Sequence, residues 1–344
     1  MKKLNLAFAI LVSAVMVGDA VANDPVYSET VGYNTSTVPA GKMTMVSFPL
    51  LKQEVCSGTF TSKNGGVLTS STSSFDASLI SAKNYASEPL YFIEITSDSN
   101  ATSGLIIDIL SATSTTVTVS TGDAASLSGT ESFKIRKYLT LGDVFGASNS
   151  AGLKQGPTIS EADIVYALVN GNWKQYFYFD DQVGFDPTKW ADLSQVGDAK
   201  DARIDPDQGI LIARKTGSGN VSLVVTGTVK STQAKIPVAT GMQIVTNPWP
   251  TPMTFAQLGI RTGSVATGLK QGPNVGEADV IYRLENGEWK QYFIFDDQVG
   301  FDPVKWTKLG DTADPSSTQI GVGEAILIKR VAPESFAWSP AKNF

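Results

Sequence analysis

The chain has 344 residues, no histidine, one cysteine and a formal net charge of -6 at pH 7. Without histidine, Ser-His-Asp and Cys-His catalysis are excluded, as is any imidazole ligand for zinc, copper or iron; with Cys56 alone, no internal disulfide can form. The acidic balance and the lack of a Lys/Arg cluster argue against nucleic acid and anionic membranes, both of which are bound through cationic side chains.

The N-terminus reads "MKKLNLAFAILVSAVMVGDAVAND". Lys2 and Lys3, an apolar run to Val17 and the small-residue pattern Ala20-Val21-Ala22 predict a signal peptide over 1-22, cleaved after Ala22. The run is shorter than the roughly 20 apolar residues of a spanning helix, and no later stretch is long enough. The expectation is an exported chain, periplasmic, extracellular or at the cell surface, with no transmembrane segment after cleavage. Losing Lys2, Lys3 and Asp19 takes its charge to -7. The terminal Phe344 invites comparison with outer-membrane barrels, but Pro340 and Lys342 break the alternation that a terminal membrane strand needs. Cys56 lies too far from the cleavage point to carry a lipid. It reads as a small buried residue, or as a link between two chains.

Residues 52-136 are rich in Ser and Thr and alternate as β throughout. "SGTFTSKNGGVLTSS" is strand, Asn64-Gly65 turn, strand, and "YFIEITS", "GLIIDILS", "TTVTVST" and "ESFKIRKY" follow. About six strands in so short a span predict a small barrel-like module, and the regular alternation excludes a flexible linker.

Beyond it the chain repeats itself. "GLKQGPTISEADIVYALVNGNWKQYFYFDDQVGFDPTKW" at 152-190 aligns without gaps on "GLKQGPNVGEADVIYRLENGEWKQYFIFDDQVGFDPVKW" at 268-306, with about three quarters of the positions identical. "GILIAR" at 209-214 falls on "AILIKR" at 325-330 by the same spacing, "AGKMTMVSFP" at 40-49 resembles "TGMQIVTNP" at 240-248, and "LTLGDVFG" at 139-146 resembles "MTFAQLGI" at 253-260. The long gap between the upstream matches in the first copy marks an insertion. The expected organisation is a first β repeat domain (23-51 plus 137-228), the inserted module (52-136) and a second β repeat domain (229-344): mainly β, with few short helices.

Asn170-Gly171 and Asn286-Gly287 are hairpin turns. Thr140 with Asp143, and Thr254 with Gln257, pair as caps of short helices. Asp186-Pro187 and Asp302-Pro303 read as a cap and first helical position leading to Trp190 and Trp306. Along the first hairpin strand, Val165, Ala167 and Val169 become Ile281, Arg283 and Glu285, whereas Ala162, Ile164, Tyr166 and Leu168 stay apolar. That contrast predicts that the second set faces the core and the first is largely solvated. In the next strand Trp173, Phe177 and Phe179 then point one way, and Lys174, Tyr176, Tyr178 and Asp180 the other.

The motifs "YFIEITSDSNATSGLIIDILSATSTTVTVS", "ESFKIRKYLTLGDVFG" and "NGNWKQYFYFDDQVGF", in that order, resemble an uncharacterised family of exported β-rich proteins found in verrucomicrobial-type bacteria. The resemblance covers most of the chain after the leader and implies an envelope or extracellular protein. It transfers no catalytic or binding residue, and the near-identical duplication of the tryptophan hairpin departs from that family's usual pattern.

Three chemistries remain open. Asp180, Asp181 and Asp186, with Asp296, Asp297 and Asp302, could supply oxygen ligands to Ca²⁺; as turn and cap residues they need no ion. A carboxylate pair could serve a glycosidase, which needs no histidine, although an exposed loop gives little of the desolvation that raises a catalytic acid's pKa. Trp173, Tyr176, Tyr178 and Trp190, with their counterparts Trp289, Tyr292 and Trp306 and flanked by Gln182 and Gln298, could form a platform on which sugar rings stack; more often such aromatics fill a small β core, and Tyr176 and Tyr292, which share a face with lysine and aspartate, are the better surface candidates. With no other catalytic group in sight, the best-fitting role is an exported cell-envelope or extracellular structural or adhesion protein without catalytic activity. A glycan-recognition protein, calcium-dependent or not, is the alternative, and a carboxylate glycosidase a more remote one. Its partners would be envelope or matrix components, glycans or further copies of itself. Core packing explains the aromatic half of the repeated motif but leaves the identity of Asp180-Asp181-Gln182 with Asp296-Asp297-Gln298 without a reason.

Overall fold

A computed structural model describes residues 29-97, 101-169, 171-217 and 219-344. The expected signal peptide and Asn170 of the first hairpin turn lie outside the described residues. The chain is mainly β, built from antiparallel strand pairs.

Each copy of the repeat forms one five-stranded sheet. In the first, the order is Lys189–Asp192, Asn172–Phe179, Ile164–Val169, Ile210–Ala213, Met43–Val46; in the second it is Lys305–Lys308, Glu288–Phe295, Val280–Glu285, Ala325–Arg330, Gly241–Thr246. The upstream match of 40-49 with 240-248 thus forms equivalent edge strands. The second hairpin turns at Asn286 and Gly287, with φ of 56° and 88°; two successive positive φ values make the turn whose twist suits a two-residue hairpin. Thr140 and Asp143 bond reciprocally at the start of the helix Leu141–Phe145, and Thr254 and Gln257 do the same for a tighter 3₁₀ turn, Phe255–Leu258.

The insert consists of two open four-stranded sheets, Glu54–Thr59 to Ile106–Asp108 and Ser62–Asn64 to Ser111–Ala112, that share one apolar core without closing into a barrel. Phe60 and Phe133 stack there with ring centroids 4.2 Å apart. Cys56 is half buried against this core, and burial pushes its thiol up from the ordinary value.

Two expectations are corrected. No helix follows Asp186-Pro187 or Asp302-Pro303; the chain passes into the edge strands Lys189–Asp192 and Lys305–Lys308. A single residue separates each proline from its strand, which leaves no room for a turn of helix. The face assignment is corrected in part: Ala162, Ile164 and Leu168 are buried as expected, but the opposite face is not solvated. Val165 and Ala167 are buried in the same core as Tyr176, Tyr178 and Trp190, with Val169 packed on its margin. Tyr166 and Leu168 point the other way, with Leu211 and Met45, against Ile244, Ala325 and Leu327 of the second sheet. Both faces of the sheet are therefore covered.

The charge accepted at Arg283 and Glu285 has a different cause. In the first copy Tyr85 of the insert packs on the margin of this core, as Val169 does, and its hydroxyl donates to Asp192 at 3.1 Å. The second copy has no insert, and there Glu285 accepts from Lys308 at 3.2 Å and from the Tyr292 hydroxyl. The substitutions record the presence or absence of a cover.

The two sheets meet as an internal two-fold pair. Val46 bridges to Glu324 while Gln208 bridges to Val245. The Ser47 N–H donates to the Gly323 carbonyl at 2.8 Å, and the Thr246 N–H donates to the Asp207 carbonyl at 3.3 Å. In both sets each contact is the other with the copies exchanged, which is the signature of an isologous interface. Gly209 and Ala325, equivalent positions, face each other there: a Cβ on Gly209 would lie 2.3 Å from that of Ala325.

Candidate functional site

The repeated segment "FDDQVGFDP" leaves each sheet at the end opposite the hairpin turn, after Phe179 and Phe295. Backbone bridges from Gly156 to Phe179 and from Gly272 to Phe295 hold the strand ends. The chain then folds around one carboxylate. Asp181 Oδ1 accepts from the N–H groups of Val183 at 3.2 Å and Gly184 at 2.8 Å, and Oδ2 accepts from Phe185 and Asp186, both at 2.8 Å. Asp297 repeats this with Val299, Gly300, Phe301 and Asp302 at 3.2, 2.8, 2.8 and 2.7 Å. The N–H of Asp186, followed by those of Gly184, Val183 and Phe185, holds the exposed Asp181 carboxyl below the usual range, and Asp297 is held the same way, Asp302 first. Asp180 and Asp296 accept from Gln182 N and Gln298 N at 2.9 Å, and both glutamines sit at φ 62°, a left-handed conformation few non-glycine residues adopt.

This explains the motif's acidic half. Asp181 and Asp297 are the centres on which the loops fold, and Asp180 and Asp296 fix the turns before them. It also bears on calcium. Both oxygens of Asp181 and Asp297 are engaged by N–H groups, whose positive ends line the space where a cation would sit. Among the described residues no three acidic, histidine or cysteine side chains converge as a metal site. Asp186 and Asp302 supply backbone N–H groups to the turn.

The expected sugar platform is corrected by burial. Tyr176, Tyr178 and Tyr292 are 3, 5 and 1 % exposed. Tyr178 meets Trp190 edge-on at 5.5 Å and Tyr292 stacks on Phe255 at 4.7 Å. They share a strand face with lysine and aspartate only at the strand's ends; along its middle that face is the core. Gln182 and Gln298 are exposed, as expected. Of the tryptophans considered for the platform, Trp173 and Trp289 are half exposed at the hairpin ends, whereas Trp190 and Trp306 are buried.

What the loops present was not anticipated. Phe185 and Phe301 are 91 and 90 % exposed, and Val183 and Val299 about as open as each other at 70 and 69 %. The rigid turn around each aspartate displays one phenyl ring and one valine to solvent, twice, in the same geometry. The available signal was two apolar residues held identical inside a polar segment. Two further unanticipated elements are the buried pairs Asp163–Arg214 and Asp279–Arg330, at 2.6 and 2.8 Å, which tie the start of each hairpin to the end of its neighbouring strand.

No protein-family model, curated protein or solved structure matches this chain.

Proposed function

We propose that the protein is an exported structural or adhesion component that engages envelope or matrix material through two equivalent apolar loop tips, Phe185 with Val183 and Phe301 with Val299. The single observation that supports this most is the pair of near-fully exposed phenylalanines, each fixed on an aspartate-centred turn. A free apolar ring on a flexible loop would collapse onto the surface; here four N–H bonds per loop keep it displayed. Burying one such ring in a partner is worth about 1.5 to 3 kcal/mol, too little for stable attachment alone. Two tips on one rigid body gain avidity without a tight single site. The leader-like N-terminus and the sequence resemblance support export. Retention of the purified chain on envelope fractions of the producing cell, lost when Phe185→Ser and Phe301→Ser are combined, is the expected result; equal retention of the double variant would sink the proposal.

Carbohydrate recognition, with the tyrosines buried, moves to the half-exposed Trp173 and Trp289. Retention on insoluble polysaccharide that survives loss of both phenylalanines but not Trp173→Ala with Trp289→Ala would favour that second reading.

A further inference from the structure

The two-fold relation of the copies leaves two equivalent clefts beside the shared interface, and they have diverged. One, of about 340 Å³, is lined by Gly323 and Glu324 of the second copy with Thr44, Met45 and Val46 of the first. Its counterpart, of about 510 Å³, is lined by the corresponding Asp207 and Gln208 with Gln243, Ile244 and Val245, and is closed on a third side by the insert. A cleft of this size suits a small ligand.

The acidic cleft carries more negative than positive charge. Asp108, Asp123, Asp205 and Asp207 line it against Arg203 and Lys235. Asp108 is engaged, accepting from the Tyr138 hydroxyl at 2.6 Å and from Arg203 at 2.8 Å, and Asp205 faces Arg203 Nε at 3.1 Å. The Asp207 carboxylate makes no hydrogen bond or ion pair among the described residues. The second copy closes the corresponding turn with Gly321 and Gly323, with Gly323 at φ 76°, a left-handed conformation that Asp207 does not share. Asp108 and Asp205 are tied to Arg203, and Asp207 is the carboxylate left facing the cleft without a partner among the described residues.

We infer that this cleft binds an extended aliphatic cation, a di- or polyamine, with one ammonium on Asp207 and its methylene chain along Ile106, Pro206, Pro237 and Ile244. A compact metal ion fits poorly, since the carboxylates do not converge on one point, whereas spaced ammonium groups joined by methylenes match separated carboxylates on apolar walls. Burial, with Asp205 and Glu94 facing it and opposed by Lys230, raises Asp207 to about 7, and burial with Asp108 beside it raises Asp205 to about 6 against the pull of Arg203. A cation favours the ionised carboxylate, so binding near neutral pH releases a proton, and affinity rises with pH through 7 and then levels off.

The test is titration calorimetry of spermidine into the full chain at physiological ionic strength, in two buffers of different ionisation enthalpy. The expected result is saturable one-to-one binding with proton release, weakened about tenfold or more in Asp207→Asn. Asp207→Gly should lose affinity equally, with a cooperative melting transition showing that the variant is folded. No saturable binding, unchanged affinity in both folded variants, or competition by calcium at equal concentration would overturn the inference. Phe185→Ser with Phe301→Ser should leave it intact, which separates this site from the loop tips.

Discussion

Arg214 donates from Nε to Asp163 at 2.6 Å with neither side chain exposed, and in the second copy Arg330 donates from Nη1 to Asp279 at 2.8 Å, again with neither exposed. Each aspartate also accepts backbone N–H groups, Lys154 and Lys215 for Asp163, and Lys270, Val331 and Ala332 for Asp279. Removing one partner leaves a buried charge uncompensated, a cost of about 3 to 5 kcal/mol. Arg214→Met and Arg330→Met should each lower stability by that amount in urea unfolding; a loss below about 1 kcal/mol, the range of surface pairs, would show the pairs to be incidental.

Glu94 joins the insert to the repeat. It is 1 % exposed and accepts from Arg136 at 2.9 Å, Lys230 at 2.8 Å and Thr232 at 2.6 Å. Burial opposes its charge, but Lys230 and Arg136 outweigh it and hold its pKa at about 2 against the ordinary 4.5. For a depressed carboxylate the stabilisation is fully present above 4.5 and is lost as pH falls through 2. Wild-type stability should therefore decline across that window, and Glu94→Gln should be less stable at pH 7 with a shallower decline. Parallel acid titrations of the two proteins would contradict the assignment.

The two-fold interface makes a reciprocal demand on Gly209 and Ala325. Gly209→Ala places two methyl groups in the space of one and should cost about 1 to 3 kcal/mol. Adding Ala325→Gly should recover part of that loss, since the new methyl would still meet Ile244 Cγ2 at 2.8 Å and the Val46 carbonyl at 2.9 Å. Additive losses in the double variant, measured by a double-mutant cycle, would show that the two positions do not share that space.

Asn at position 181 keeps one acceptor oxygen where Asp has two. Asp181→Asn should therefore accelerate amide exchange at Val183, Gly184, Phe185 and Asp186 while leaving the exchange of the strand Ile164–Val169 unchanged. Millimolar calcium should not restore protection; if it did, the turn would be an ion site after all.

The sequence carried the repeat, the insertion, the second hairpin turn and both capping pairs in local residue patterns, and these needed no tertiary information. The strand faces were misread because the contrast between Val169 and Glu285 depends on Tyr85, a residue distant in sequence that covers only one copy. The same limit hid Asp163–Arg214, whose partners look like one more acid and one more base until the strands pair. The loop was legible as unusual but not in its chemistry: its aspartates are taken up by the backbone, whereas Phe185 and Phe301 are left uncovered among the described residues.

The most direct measurement of the central proposal compares dissociation from envelope fractions for wild type, Phe185→Ser, Phe301→Ser and the double variant. Two equivalent tips on one body require each single variant to dissociate faster by about tenfold or more, by similar factors, and the double variant not to bind. If one single variant matches wild type while the other matches the double, or if the double still binds, the loops do not act as a bivalent pair.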